Sequence, residues 1–216
     1  MVESAATVPR ETATGFFGRA ASLVAHFVTG GNVPRGGLGV GFLLGQGEAT
    51  LGFMKTLLLL RHAKSSWNDD SLEDHERPLN KRGKKSAPRM GRLVRDEGIV
   101  PDLIVASTAN RAKTTANLVA EKAGYRGEVR LEPALYLAPP ERYLRIASKV
   151  DDAVERLMLV GHNPGIEMCV DLLCRCNEVM PTAGLAVISL PIDHWSEVSL
   201  NVDGKLEAFW RPKELT

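Results

Sequence analysis

Residues 57–67 read LLLLRHAKSSW. Four consecutive leucines leave no polar face, so this run is a strand covered on both sides. Its end is the opposite: Arg61, His62, Lys64, Ser65 and Ser66 crowd together with only Ala63 between them. Strands buried on both faces belong to mostly parallel sheets clad in helices, and in such sheets ligands gather beyond the carboxyl ends of the strands. One short stretch thus predicts an α/β fold and marks the edge of the sheet where chemistry is to be sought.

The pattern continues outward from there. Residues 80–97 read as a helix with Met90, Leu93 and Val94 inward, ended by Gly98. Residues 102–106 (DLIVA) form a second buried strand, and residues 109–123 a helix stopped by Gly124. A short strand over 128–131 precedes a helix over 140–150, which opens on Pro139-Pro140 and turns Leu144 and Ile146 inward. Residues 156–160 (RLMLV) are a further buried strand, followed by a helix from 164 to about 173. Residues 185–190 and 205–210 read as closing strands of a more amphipathic kind. Strands alternating with helices predict a three-layer α/β/α sandwich around a mostly parallel sheet.

Residues 1–53 differ from the rest. They hold 11 of the 20 glycines and no lysine, a density of glycine that packed elements do not tolerate. The boundary is placed at Met54, with 1–53 a flexible extension or the product of an upstream start and 54–216 the folded domain. An organelle transit peptide is the weaker alternative, because Glu3 and Glu11 interrupt the Arg- and Ser-bearing segment. The glycine-rich GFLLGQG lacks the Gly-Lys-Ser/Thr ending of a phosphate-binding loop.

A net charge of +1 gives no support to a nucleic-acid or membrane-surface binder. No apolar run reaches the ~18 residues needed to span a bilayer. Cys169, Cys174 and Cys176 are odd in number and clustered, which predicts reduced thiols in a cytoplasmic protein rather than a disulfide framework.

Three strand ends deliver polar groups to one edge. Arg61, His62, Lys64 and Ser65 follow the first strand; Ser107, Thr108 and then Arg111 follow the second; Gly161, His162 and Asn163 follow RLMLV. Arginine is seldom buried unless paired, and facing cations repel, so an anion is the natural occupant. A phosphoryl group suits it, because guanidiniums donate paired hydrogen bonds to its oxygens and helix starts near Ala109 and Pro164 add N–H groups. No Asp/Glu cluster accompanies the site, so Mg²⁺-dependent chemistry is poorly supported and no cofactor is expected. An imidazole is then the attacking group, one nitrogen free and the other held by a backbone carbonyl.

At this level of detail RHAKSSW resembles the Arg-His-Gly signature of the histidine phosphatase superfamily, and the chain looks like its small SixA-type phosphohistidine phosphatases. Three more segments resemble family motifs: RPLNKRG, STANRAKTTA and VGHNPG. The resemblance implies a phosphoglycerate mutase-like fold over about residues 54–212. It makes His62 the phosphorylated nucleophile, Arg61, Arg77 and Arg111 phosphate ligands, and His162 the partner that stabilises the transferring group. Beside the nucleophile, Lys64 and Ser65 are candidates for lining the substrate entrance, with solvated-loop roles as the alternative, and Asn68 is a candidate for reaching the phosphate or substrate, with a turn-forming role as the alternative. Asn163 and Gly165 are expected to shape the turn into the next helix, and His75 and His194 to lie on the surface.

Two departures bear on the substrate. Ala63 stands where the superfamily often has Gly. Larger members also carry an acidic residue near EPALYLAPPE to protonate an alcohol leaving group, and residues 134–137 here offer none. Asp74, in DHERP, is the one candidate general acid. A missing acid matters little for phosphohistidine, since imidazole (pKa about 6.5) leaves readily as a protonated ring. The expected activity is therefore a metal-independent phosphatase acting on phosphohistidine or another activated phosphate. The expected partner is a phosphorylated substrate, including a phosphohistidine-bearing protein, and the expected state a monomer or weak dimer. The alternatives are a small-metabolite phosphomonoesterase or mutase, and a phosphate-binding module without turnover.

Overall fold

The computed structural model describes residues 54–215. The expectations for residues 1–53 lie outside the described residues.

Six strands form one sheet in the order β3-β2-β4-β1-β5-β6. The strands are β1 (Lys55–Arg61), β2 (Leu103–Ala106), β3 (Arg130–Leu131), β4 (Arg156–Gly161), β5 (Leu185–Leu190) and β6 (Lys205–Trp210). The pairs β1–β4, β4–β2 and β2–β3 are parallel, whereas β5 runs antiparallel to β1 and β6. Four helices flank the sheet: α1 (Lys81–Asp96), α2 (Asn110–Ala123), α3 (Pro140–Ala147) and α4 (Gly165–Cys174).

The period of two along β1 sorts the leucines between two cores. Leu58 and Leu60 pack with Met90 and Val94 of α1 and Ala116 and Val119 of α2. Leu57 and Leu59 pack with Tyr143 and Leu144 of α3 and Ile166 and Val170 of α4. All four leucines are fully buried, each contributing about 1.5–3 kcal/mol of burial free energy. With β1 in mid-sheet and helices on both faces, the three-layer α/β/α architecture is as expected.

Helix ends follow local chemistry. The Asn80 side chain accepts from Gly83 N–H at 2.9 Å and starts α1; Gly124, at φ +73°, ends α2 in the left-handed region that suits glycine. One expectation needs correction. Residues 185–190 are not amphipathic in context: every residue of β5 is buried, because β5 lies between β1 and β6 rather than at the edge. The alternation belongs to the edge strand β6.

Among the described residues no helix is long and apolar enough to cross a membrane. Cys169, Cys174 and Cys176 are free, and burial pushes the Cys169 and Cys174 thiols up to about 12, which makes them poor nucleophiles.

Candidate active site

Strand register builds the centre of the site. In the β1–β4 ladder Arg61 is paired with Gly161, so the residues that follow, His62 and His162, emerge side by side. The His62 N–H continues the ladder onto the Gly161 carbonyl at 3.0 Å, and the two rings lie 5.0 Å apart between centroids. In the β2–β4 ladder Ala106 pairs with Val160, which carries Ser107 to the same edge. Its N–H reaches the Val160 carbonyl, and its Oγ lies 2.9 Å from His162 Nε2.

Hydrogen bonding to a carbonyl sets the tautomer of His62. His62 Nδ1 sits 2.8 Å from the Ala63 carbonyl, an acceptor only, so Nδ1 carries the proton and Nε2 keeps a free lone pair. The Ser107 oxygen accepts the Ala109 N–H at 3.4 Å and pairs with His162 Nε2 at 2.9 Å. His162 Nδ1 is a buried atom without a hydrogen-bond partner. The Tyr143 hydroxyl accepts the His162 N–H at 2.9 Å and donates to the His162 carbonyl, fixing the backbone there.

Both rings are held neutral. Burial, aided by the Arg111 and Arg61 charges and opposed by the Ala63 hydrogen bond, lowers His62 to about 4. Burial together with His62 and Arg111 lowers His162 to about 3. A neutral imidazole with a free Nε2 is a nucleophile at pH 7.

The arginines arrive differently. Arg61 donates from one terminal nitrogen to the Met180 carbonyl at 2.8 Å, while its buried Nε has no partner. The 175–184 segment that supplies this carbonyl is itself pinned: Glu167 on α4 accepts the Met180 N–H at 2.7 Å and the Asn163 amide at 3.0 Å. Arg111 and Arg77, each 5% exposed, converge on the carboxylate of Asp74. Arg77 donates to Oδ1 at 3.0 Å and Arg111 to Oδ2 at 2.8 Å, and Arg111 also reaches the Asp74 carbonyl. The Tyr136 hydroxyl donates to Oδ2 at 2.8 Å. Arg77 further donates to Ser66 O and Ser65 Oγ, and Trp67 covers its guanidinium with the ring centroid 3.0 Å away.

This geometry bears on the reading of Asp74 as a general acid. Burial pushes its carboxyl up, but the Tyr136 hydroxyl and the two guanidiniums outweigh burial and hold it below the usual carboxylate range. It is an ionised counter-anion, with no proton to give at pH 7.

The remaining expected residues divide. Ser65 is buried against Arg77, whereas Lys64 and Asn68 are exposed, and the Asn68 N–H closes a turn onto Ser66 Oγ. Asn163 holds Glu167 and the Met180 carbonyl, and a side chain at Gly165 would collide with the Ala138 carbonyl, so both shape the turn into α4. His194 lies exposed against Asp152. His75 is not simply a surface residue: it bonds Glu76 and Thr108 and stacks edge-on against Tyr136, whose ring lies 5.5 Å from His162.

Ser107, Tyr136, Tyr143 and Glu167 were given no role by sequence reasoning. Only Ser107 left a signal, as the first polar residue after a buried strand. The contacts of Tyr136 and Tyr143, and that of Glu167 with Met180, join residues 13 or more apart in sequence and left none. Among the described residues no group of His, Cys, Asp and Glu is arranged to hold a metal ion.

Comparison with known proteins follows the same lines. The family model for the histidine phosphatase superfamily (branch 1) matches residues 57–136. An uncharacterized chloroplastic protein of Arabidopsis thaliana is 32% identical over 152 residues, covering 66% of this chain and 70% of its own. An uncharacterized Mycobacterium tuberculosis protein, Rv1276c, is also 32% identical, covering 64% and 91%. Among solved structures, a chain assigned to the phosphohistidine phosphatase SixA of Agrobacterium tumefaciens is 29% identical with a TM-score of 0.62, covering 73% of this chain and 98% of that one.

Proposed function

Because the chain belongs to the histidine phosphatase superfamily, in its SixA-type branch, we propose that its phosphatase-type activity runs through a phosphorylated His62 and is directed at phosphohistidine or another activated phosphate. The observation that carries this reading is a free His62 Nε2 beside two buried nitrogens without partners, Arg61 Nε and His162 Nδ1, the latter a donor in the tautomer whose Nε2 accepts from Ser107. Buried donors left unpaired are costly, and an anion placed against His62 would satisfy both.

The steps follow from the groups present. The His62 Nε2 lone pair attacks phosphorus in line, the bond to the leaving group breaks, and the phosphoryl group becomes attached to Nε2. The Ala63 carbonyl, receiving Nδ1–H, holds the ring and supports the positive charge it gains. Arg61, His162 Nδ1–H and the hydrogens of Arg111 not engaged by Asp74 face the charge on the transferring oxygens. Water then attacks phosphorus, the P–Nε2 bond breaks, and inorganic phosphate departs with His62 again neutral. The second attack releases one proton to solvent or to phosphate.

Asp74 sets the substrate class. Held ionised by two arginines and a tyrosine, it offers no proton to an alkoxide. A protonated imidazole needs none, so phosphoramidates are favoured over alcohol phosphates. We place the protein in the cytoplasm on its three clustered cysteines, an odd number unlike a disulfide framework.

The test is a panel of phosphohistidine, acyl phosphate, phosphoserine and a sugar phosphate under single-turnover conditions, with rapid quench to trap phospho-His62. Phosphohistidine is expected to be turned over fastest and to label the wild type but not His62→Ala. Preference for the alcohol phosphates, or wild-type turnover by His62→Ala, would overturn the proposal.

A further inference from the structure

Away from the histidines, α1 carries a charge distribution that its own stability does not explain. Its sequence KRGKKSAPRMGRLVRD holds seven cationic residues against one carboxylate, Asp96. Four of them, Lys81, Arg82, Lys84 and Lys85, lie in the first five positions with no acidic residue there, against the direction the helix dipole favours. Local rules are most often broken where function requires it.

The structure gathers these charges into a groove of about 370 Å³, where Lys81, Arg82, Lys85, Ser86 and Arg89 of α1 meet Lys213 after β6. Two segments far apart in sequence thus bring five cations to one concavity. Among the described residues none of the five forms a salt bridge, and Arg89 donates only to the Leu215 carbonyl. The neighbouring Glu214 is engaged by Arg211. With the whole chain at +1, this is a local excess and not a general basicity.

The N-terminal end of α1 abuts the nucleophile loop. The Asn80 N–H donates to the Lys64 carbonyl at 3.0 Å, and α1 can come this close because Gly83 has no side chain: a Cβ there would strike that carbonyl. Lys64, two residues beyond His62, is exposed, and so is Lys84. A cationic track therefore runs from the nucleophile loop onto α1.

We infer that this groove docks an acidic segment of a phosphorylated protein, adjacent in sequence to the phosphorylated residue presented to His62; the inference rests on the activity proposed above. From Lys81 to Arg89 the helix rises about 12 Å, the length of about four residues of extended chain. That spread suits a row of carboxylates better than one compact phosphate. No aromatic residue lines the groove, so the stacking platform that single-stranded nucleic acid uses is missing. Unpaired cations at the rim of a site raise encounter rates with acidic partners and select among them.

The experiment has a binding arm and a turnover arm. Fluorescein-labelled hexaglutamate, hexaglutamine, oligo-dT and tripolyphosphate as competitor are titrated against the full chain, Lys81→Glu/Lys85→Glu and, separately, Lys213→Glu, at low and moderate salt. Hexaglutamate is expected to bind the wild type, with affinity falling about tenfold in the double variant, about threefold in Lys213→Glu, and further with salt. In the turnover arm, a phosphohistidine peptide with an acidic flank is expected to exceed a neutral-flank peptide in kcat/KM by about tenfold. Both variants are expected to lose that advantage while hydrolysing free phosphohistidine at the wild-type rate. Absence of hexaglutamate binding, binding indifferent to the charge reversals, or tighter binding of oligo-dT or tripolyphosphate would overturn the inference. Charge-dependent hexaglutamate binding without hydrolysis of either peptide would support the groove and sink the phosphatase reading instead.

Discussion

Two halves of the site are built on different principles. The histidine half is a product of backbone register: Arg61 opposite Gly161 and Ala106 opposite Val160 leave His62, His162 and Ser107 no choice of neighbour. The arginine half is assembled by long side chains around a carboxylate carried on a short turn, Asp74–Glu76. Changes in the first half should remove chemistry with little adaptation. Changes in the second should retune affinity, because long side chains and a three-residue turn can readjust.

The most severe test of that contrast is His62→Ala, expected to lower kcat by more than about a thousandfold, while isothermal titration still detects phosphate or vanadate binding. Loss of anion binding along with turnover would mean that the halves are not separable.

Next is Ser107→Ala. Without the Ser107 hydroxyl, His162 Nε2 loses its hydrogen-bond partner, and kcat should fall about ten- to a hundredfold at nearly constant KM. Ser107→Thr should recover much of the loss, and ring ¹⁵N shifts of His162 should follow the same order. A change confined to KM would place Ser107 with the adaptable half.

Asp74→Asn probes the other side. It removes the anion that competes for Arg77 and Arg111, so phosphate should inhibit about three- to tenfold more strongly, with a smaller change in kcat. Weaker inhibition would mean that the carboxylate positions the guanidiniums and does not compete with the ligand.

The mildest perturbation is pH. The neutral form of His62 is the reactive one, and burial holds it neutral down to about 4. With an acid-stable aryl phosphate, kcat/KM should therefore keep its value as pH falls through 6.5 and lose it only near 4. Stability has the related sign. Unfolded histidines take up a proton below about pH 6.5 and the native ones do not, so unfolding free energy should decline as pH drops from 6.5 toward 4. Denaturant titrations should show this decline flattened in His162→Ala.

Much of this molecule is determined within the sequence. LLLL requires burial on two faces, and its strand-helix alternation then yields the layered sheet. The same logic carries His62, His162 and Arg111 to one edge, because parallel strands end on the same side. Where strand residues are buried, a period of two and an apolar run suffice.

What tertiary structure alone decided is everything that depends on which strands are neighbours and on side chains meeting across long separations. The sequence order β1, β2, β4 does not show that β4 inserts between the other two, yet that insertion sets the 5.0 Å approach of the two histidine rings. Nothing local marks Tyr136, 62 residues from Asp74, as its partner, or Arg111, 37 residues away, as a guanidinium paired with its carboxylate. Charge state depends on the surrounding field, and that field exists only once distant residues have been brought together.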